Sequence, residues 1–403
     1  MECADLSALW SVATCRDQVD RRQMSLSFCG GDATQTKAAT KSPHSKKVRR
    51  ALHGLLPNAI RSQQLKGWAI FKRPLRGHNR PRRIRMTMNR IKTFLLLLPL
   101  LTISISAPAQ SANAVKANSL QELVNQAART TLDKFADKKL TDNQLSITLI
   151  DLRDPQHPVM ASFRGNERVY PASVVKLFYF AAVHRWLEDK KIQETDELKR
   201  AVRDMIVDSS NEATQYVVDV LTQTTGGYEL PAKEMEAWQY KRNAVNRYYA
   251  ALGFSNINVN QKTFCEDAYG REKVSRGPNG ENRNKLTTDA TARLLSEIVT
   301  GRAVNPAHSE KMMELLKRDF AGTSKDADDQ GHGFTGIALQ GITGAKLWSK
   351  AGWTSATRHD AAYVELPNGA KFVLVTFTTD HANEREIIPT VARVVIDGIA
   401  SVK

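Results

Sequence analysis

Ser173 and Lys176 are the two residues whose types and spacing first point to chemistry. They lie three positions apart in the stretch Pro171–Trp186, where Lys176 is the only residue between Val174 and Val183 that is neither apolar nor aromatic. This composition predicts a helix buried on all sides, with both side chains on one face of its first turn. A buried lysine is costly unless it is paired or used, and a serine becomes a nucleophile when a neighbouring base takes its proton. The alternative is a lysine that reaches solvent beside a serine that only caps the helix.

Two further short motifs follow in the chain. Ser209-Ser-Asn211 forms a polar break between two stretches with helical spacing, and Lys350-Ala-Gly352 ends a strand-like segment. Each motif alone is weak evidence, because short patterns of this kind arise by chance. Their order, and the kinds of element that carry them, make the set more specific.

The elements that must position these motifs are strands near both ends of the folded part, with helices between them. Alternating or β-branched segments predict strands, and apolar residues at helical spacing predict helices. The predicted strands are Gln144–Arg153, Val159–Arg164, Ala345–Gly352, Ala361–Leu366 and Lys371–Thr379. The predicted helices are Ser119–Asp137 (with a Ser119–Glu122 capping box), Pro171–Trp186, both halves of Glu194–Leu221, Lys233–Ala251, Leu286–Val299 (with Thr288 as a possible N-cap), Pro306–Phe320 and Glu384–Ile399. Residues Phe254–Arg283 follow no regular pattern, which is typical of a functional or a disordered loop.

This order predicts a mixed α/β (α+β) fold with two lobes in residues 119–403. Residues 119–165 and 345–403 form one antiparallel sheet flanked by the N- and C-terminal helices. Residues 166–344 form an all-helical lobe. We expect the functional site in the cleft between the two lobes.

Residues 1–114 differ from the rest of the chain in charge. They hold 20 Lys and Arg against 5 Asp and Glu, which leaves 38 against 37 in residues 115–403. The folded part is therefore nearly neutral, and the basic composition of the whole chain does not indicate nucleic-acid binding. Residues 88–114 have a basic start, an apolar core at Phe94–Ile105 and then small residues, as a secretory signal peptide does. The alternative is an uncleaved membrane anchor.

We therefore expect export to the periplasm or the medium after cleavage, without a stable membrane anchor. Residues 1–87 are interpreted as sequence upstream of the true start codon, with a disordered basic arm as the alternative. Outside residues 1–114 the chain has one cysteine, Cys265, and no HxxxH or HExxH pattern. We predict no disulfide framework, no metal and no cofactor, and we expect a monomer that acts on a small molecule.

With these motifs the chain resembles the class A β-lactamases and their serine-hydrolase relatives, which share a fold with penicillin-binding proteins. The motifs occur in the family's order, and Ser209-Ser-Asn-Glu-Ala-Thr opens a helix as the family's SDN motif does. Leu286-Thr-Thr-Asp-Ala matches the helix start after the family's Ω loop, and Arg358-His-Asp-Ala-Ala matches the strand after its KTG motif. The resemblance covers about residues 119–403. It implies a β-lactamase/transpeptidase-like fold and a β-lactam or peptidoglycan-like substrate.

The resemblance also implies catalytic roles. Ser173 is the nucleophile at a helix N-terminus, where the dipole favours developing negative charge. Lys176 acts as its base when neutral, which requires a pKa below the ordinary lysine value of about 10.4. Burial and the second cation, Lys350, act in that direction. Ser209 passes a proton to the leaving nitrogen.

Substrate binding is implied for a second group of residues. Asn211 holds a substrate amide, while Lys350 and Arg358 bind a substrate carboxylate. Gly352 completes the third motif, and the backbone N–H groups of Ser173 and Trp353 form the oxyanion hole.

The chain departs from the family at several positions. Ser210 replaces an aspartate, and Ala351 replaces a threonine or serine that helps to bind the substrate carboxylate. Glu266 is the best candidate for the carboxylate that activates the deacylating water, but Gly270 stands where an asparagine is expected. Glu272 is a weaker candidate, and a solvated acidic loop is the alternative for both. With Glu266 in that role we expect a β-lactamase; without it, a D,D-peptidase-like or esterase-like hydrolase, or a sensor domain that binds the drug without turnover.

Overall fold

The computed structural model describes residues 108–264 and 267–402, with side chains from residue 115 onward. Its strands are β1 (Leu145–Asp151), β2 (Val159–Phe163), β3 (Lys317–Arg318), β4 (Lys346–Trp353), β5 (Thr357–Glu365) and β6 (Lys371–Thr379). Its α-helices are α1 (Pro108–Lys134), α2 (Lys176–Glu188), α3 (Asp196–Ile206), α4 (Asn211–Thr222), α5 (Ala232–Arg242), α6 (Ala244–Ala251), α7 (Gly270–Arg276), α8 (Thr288–Val299), α9 (Pro306–Leu316), α10 (Thr335–Leu339) and α11 (Ile387–Gly398). Within the described ranges, every helix is too short or too polar to cross a membrane.

The six strands form one antiparallel sheet in the order β2-β1-β6-β5-β4-β3. β1 pairs with β6, with Leu149 opposite Leu374, so the first hairpin and the last strands of the chain share the sheet. β4 pairs with β5 in a register that sets Ala351 opposite Asp360. The predicted sheet from the two ends of the folded part is therefore confirmed. The prediction that residues 166–344 are all helical is wrong at β3, because the predicted helix Pro306–Phe320 ends at Leu316 and the next two residues pair with β4.

Helices cover both faces of the sheet. α1 and α11 pack together on one face, where apolar residues at helical spacing, such as Val391 and Val395, are fully buried. α8 packs on the opposite face against β1, β5 and β6. There its buried Leu294, Leu295 and Ile298 join the larger core that also contains α2.

α2 is buried on nearly all sides, as the sequence predicts. Every residue from Lys176 to His184 is buried, including the charged Lys176 at its first position. The helix packs against α3, α4, α8 and α9, so its N-terminus is held between the helical lobe and the sheet. Burial all round explains why the apolar residues of this stretch do not form a single stripe.

The structure corrects four details of the predicted elements. α1 begins at Pro108, so Ser119 lies inside a helix and its hydroxyl donates to the carbonyl of Lys116; the capping box is wrong. The predicted helix Lys233–Ala251 is two helices separated at Asn243. α8 is capped by Thr287, whose hydroxyl accepts from the N–H of Ala290, and Thr288 is its first residue. The short helices α7 and α10 lie in segments for which the sequence shows no periodic pattern.

Candidate active site

Ser173 lies in a tight 3-10 turn, Ala172–Val175, that leads directly into α2. Ala172, the residue before it, has a left-handed backbone with φ of 46°. A non-glycine residue in this region costs of order 1–3 kcal/mol and persists only where the surroundings enforce it. The turn leaves Ser173 partly exposed while Lys176, one turn later, is fully buried.

The Lys176 amine connects the first two motifs. Its Nζ lies 3.0 Å from the Ser173 hydroxyl oxygen and 2.9 Å from the Asn211 side-chain oxygen. It also contacts the backbone oxygen of Ser209 at 2.5 Å and the Ser209 hydroxyl oxygen at 3.3 Å. The buried lysine is therefore paired, and it sits within proton-transfer distance of two serine hydroxyls.

The second motif forms the turn between α3 and α4. Ser209 has a left-handed backbone with φ of 56°, so this turn is also strained. Ser210 caps α4, because its hydroxyl accepts from the N–H of Ala213 at 3.1 Å. Asn211 is the first residue of that helix. The residue that departs from the family motif, Ser210, thus has a clear structural role, while its two neighbours face Lys176.

Lys350 on β4 reaches the same group from the sheet. Its Nζ donates to the hydroxyl of Ser209 at 2.9 Å, to the side-chain oxygen of Gln330 at 2.7 Å and to the carbonyl of Ala351 at 2.7 Å. Burial holds the pKa of Lys350 well below its usual value, and repulsion from Lys176 and Arg318 lowers this pKa further. The Ser209 hydroxyl therefore lies between two lysines.

Gly352 allows β4 to approach the nucleophile. A Cβ atom at this position would lie 2.6 Å from the backbone nitrogen of Ser173 and 2.7 Å from that of Val174. No real side chain fits at such distances, so the third motif requires glycine here. The contact brings the backbone nitrogen of Ser173 close to β4, one residue before Trp353.

Arg358 lies on β5 but its guanidinium is already occupied. It donates to the carboxylate of Asp328 at 2.7 Å and to the carbonyls of Gly333 at 2.6 Å and Ala327 at 3.2 Å. The side chain is 2% exposed and stacks on Phe334. In this conformation Arg358 fixes the loop before α10, and binding of a substrate carboxylate requires it to exchange partners.

His359, next to Arg358, supports the nucleophile turn from behind. Its Nε2–H donates to the carbonyl of Tyr170 at 2.9 Å, and its Nδ1 accepts from the N–H of Thr378 at 3.1 Å. Complete burial lowers the pKa of His359 to about 4, so the ring is neutral at pH 7. No sequence signal marks His359 as part of the site, because nothing in its own segment shows that β5 lies behind Ser173.

Gln330 and Arg318 also contact the site, although the sequence does not predict them as site residues. Gln330 contacts Lys350 directly, as described above. Arg318 donates to the carbonyls of Ser349 at 2.8 Å and Ile206 at 3.0 Å. Both residues come from the segment between α9 and β4, which has no motif that could have identified them.

The structure describes only one of the two candidates for the deacylating carboxylate, Glu272. Glu266 lies outside the described residues, as does Cys265, so the role of Glu266 stays a prediction. Glu272 is 2% exposed, and Arg242 donates to both of its carboxylate oxygens at 2.8 and 2.7 Å. Lys262 lies 3.4 Å from the same carboxylate. Glu272 therefore belongs to a buried ion-pair cluster that fixes the loop.

A cavity of about 360 Å³ lies beside the nucleophile turn. Its walls include Tyr170, three residues before Ser173, and Thr354, the residue after Trp353. Lys262 and Phe264 line it from the segment between α6 and α7. The lining residues of this cavity do not include Ser173, Lys176, Ser209 or Lys350. Within residues 108–264 and 267–402, no cluster of three or more His, Cys, Asp or Glu side chains is arranged to hold a metal ion.

Known proteins similar to this chain belong to one family. The model of the β-lactamase enzyme family matches residues 127–399. A β-lactamase from Sphaerobacter thermophilus is 18% identical with a TM-score of 0.51, and the match covers 68% of this chain and 97% of that one. A class A β-lactamase representative from Bacteroides cellulosilyticus is 16% identical with a TM-score of 0.48, over 69% and 99% of the two chains. No curated protein sequence matches this chain.

The family match defines the class of this protein as a β-lactamase-like enzyme. The first of these structures supports the fold alone, since its sequence identity is low. The family match covers most of the described residues, and this chain belongs to the β-lactamase enzyme family.

Proposed function

We propose that this protein is a serine β-lactamase, which opens the β-lactam amide through an acyl-enzyme on Ser173. The observation that carries the proposal is the contact of 3.0 Å between the Ser173 hydroxyl and the buried Lys176 amine. An activated nucleophile requires such a base within hydrogen-bond reach. Family membership gives the substrate class, a small β-lactam molecule.

Acylation requires the Lys176 amine in its neutral form, which then takes the proton of the Ser173 hydroxyl. The Ser173 oxygen then attacks the β-lactam carbonyl, and the N–H groups of Ser173 and Trp353 stabilise the oxyanion. When the carbon–nitrogen bond breaks, Ser209 donates its proton to the leaving nitrogen. Ser209 regains a proton from Lys176, whose Nζ is 3.3 Å from its hydroxyl, so the protons balance over the step.

The substrate is oriented by the cations Lys350 and Arg358 and by the side-chain amide of Asn211. Asn211 offers a side chain for the substrate amide, and Lys350 supplies positive charge for the substrate carboxylate. Ala351 has no hydroxyl that could bind the substrate carboxylate. Lys350, which is held by its hydrogen bond to Ser209, therefore contributes more to binding of that carboxylate. Arg358 contributes once it releases Asp328.

Deacylation requires a water that attacks the ester on Ser173, with Glu266 as its proposed base. If that base is not positioned, the serine still acylates but the ester persists. The protein then behaves as a penicillin-binding relative. We further propose that the chain is exported after cleavage of the signal peptide in residues 88–114.

Intact-mass spectrometry combined with a hydrolysis assay tests this function. The purified protein is mixed with a penicillin, and drug loss and protein mass are followed over the same period. A transient adduct with rapid drug loss supports a β-lactamase, whereas a lasting adduct indicates binding without turnover. Absence of both an adduct and drug loss would show that the substrate is another ester or amide.

The control for this assay is a serine variant elsewhere in the chain. Ser173→Ala is expected to remove both the adduct and the drug loss. Ser401→Ala, at an exposed position in the last turn, is expected to keep both. Labelling of the Ser173→Ala variant would remove Ser173 from the mechanism.

A further inference from the structure

Gln330 makes four hydrogen bonds in the core beneath the active site. Its side-chain oxygen accepts from the Lys350 ammonium at 2.7 Å and from the N–H of Ala351 at 3.2 Å. Its side-chain nitrogen donates to the carbonyls of Val207 at 2.8 Å and Ile206 at 3.2 Å. The residue is 7% exposed, so the whole amide is satisfied inside the protein.

These bonds join the two parts of the chain that must meet at Ser209. Ile206 and Val207 end α3 immediately before the Ser209 turn, and Lys350 and Ala351 lie on β4. Arg318 crosses the same boundary from Ile206 to Ser349, but it contacts backbone oxygens only. Gln330 therefore combines an interlobe contact with direct contact to a lysine of the site.

We propose that Gln330 is a positioning residue for the reaction, and that it holds the Lys350 ammonium on the Ser209 hydroxyl. The role of Gln330 in acyl transfer rests on the function proposed above, while its hydrogen bond to Lys350 is independent of that function. An amide suits this position because it accepts from a cation on one side and donates to two carbonyls on the other. A carboxylate would place an oxygen against the carbonyls of Ile206 and Val207.

The neutral amide of Gln330 adds no negative charge beside Lys350. The charged groups that act on Lys350 are Lys176 from the start of α2, Arg318 from β3 and Asp360 from β5. Burial raises the pKa of Asp360, and the N–H of Thr335, which donates to its carboxylate, opposes that rise. Gln330 thus stabilises the Lys350 ammonium through a hydrogen bond without neutralising its charge.

Titration of Lys350 in the full-length protein tests the hold directly. The protein is labelled with ε-13C-lysine, the Lys350 signal is assigned by its loss in Lys350→Arg, and its pKa is measured by NMR. Gln330→Met preserves length and removes all four bonds. We expect its Lys350 pKa to fall by about 1 to 2 units relative to the wild type, the size of one charge-assisted hydrogen bond.

Two further variants keep the test decisive. Gln340→Met makes the same change at an exposed position and is expected to leave the titration unchanged. Gln330→Glu supplies a carboxylate and is expected to raise the Lys350 pKa by at least about 1 unit. If Gln330→Met does not fold, the Glu variant alone decides, and an unchanged Lys350 pKa in every folded Gln330 variant overturns the proposal.

The catalytic consequence is measured separately. The acylation rate with a penicillin is expected to fall at least about tenfold in Gln330→Met, with little change in the acylation rate of Gln340→Met. If the wild type is not acylated, the proposed function fails but the titration still decides whether Gln330 holds Lys350. If the titration shifts while the acylation rate does not, Gln330 is not a positioning residue for the reaction.

Discussion

Replacement of His359 by glutamine is expected to flatten the pH dependence of folding stability on the acid side. The imidazole is completely buried between the Tyr170 carbonyl and the Thr378 N–H, and burial lowers its pKa from 6.5 to about 4. Between these two values the unfolded chain binds a proton that the folded protein does not. Stability from this group is therefore fully present above pH 6.5 and is lost as the pH falls toward 4.

The magnitude follows from the size of the pKa shift. A difference of about 2.5 units at about 1.4 kcal/mol per unit gives about 3 kcal/mol when the loss is complete. From pH 7.5 to pH 4.5 we expect His359 to account for about 2 to 3 kcal/mol of the wild-type loss. The variant also loses the ring contact with Phe377, but that cost does not depend on pH.

The assay is urea unfolding at several values of pH for the wild type and for His359→Gln. The variant is expected to be less stable at pH 7.5 and to lose about 2 to 3 kcal/mol less than the wild type on acidification. His157→Gln, at a mostly exposed ring, is the matched control for the loss of an imidazole. Parallel curves for the wild type and His359→Gln would refute the reasoning, since His359 would then titrate alike in both states.

Three further predictions concern the loop and the site. Arg242→Met should lower the free energy of unfolding by about 3 to 5 kcal/mol in denaturant titration, because it leaves the buried Glu272 without its bidentate partner. Arg276→Met, which breaks a pair with the exposed carboxylate of Asp267, should cost no more than about 1 kcal/mol, and equal losses would contradict this account. Gly352→Ala should slow acylation at least about 100-fold in stopped-flow assays, since a methyl group would press on the nucleophile turn; an unchanged rate would exclude that close approach. Glu266→Gln should slow release of the acyl group more than its formation, and a variant that accumulates no adduct in rapid-quench mass spectrometry would remove Glu266 from deacylation.

Much of the fold could be predicted from local sequence signals. β6 has the predicted bounds, because its alternation and β-branched residues are unambiguous. The burial of α2 on nearly all sides could be predicted because its first half is apolar or aromatic except for Lys176. The Lys233–Ala251 prediction missed the break at Asn243, since no glycine or proline marks it and the break depends on tertiary hydrogen bonds of the asparagine side chains.

The site residues that belong to the three short motifs could be predicted from the sequence. Ser173, Lys176, Ser209, Asn211 and Lys350 meet as their motifs imply. Their catalytic and binding roles remain predictions.

The remaining features depend on contacts between distant segments. Gln330 reaches Lys350 from a loop without any motif, and His359 reaches the nucleophile turn across the sheet. Arg358 was expected to face a substrate, but its partners come from a loop whose path the sequence does not reveal. Such contacts depend on how the chain folds back on itself, and local spacing holds no information about them.

The most direct test of the central claim is to locate the acyl group after brief reaction with a penicillin. The reaction is stopped in acid, the protein is digested, and the modified residue is identified by tandem mass spectrometry in the wild type and in Lys176→Met. The account predicts an adduct on Ser173 in the wild type and formation slowed at least about 100-fold in the variant. An adduct on any other residue, or equal rates of formation in the two proteins, would contradict activation of Ser173 by Lys176.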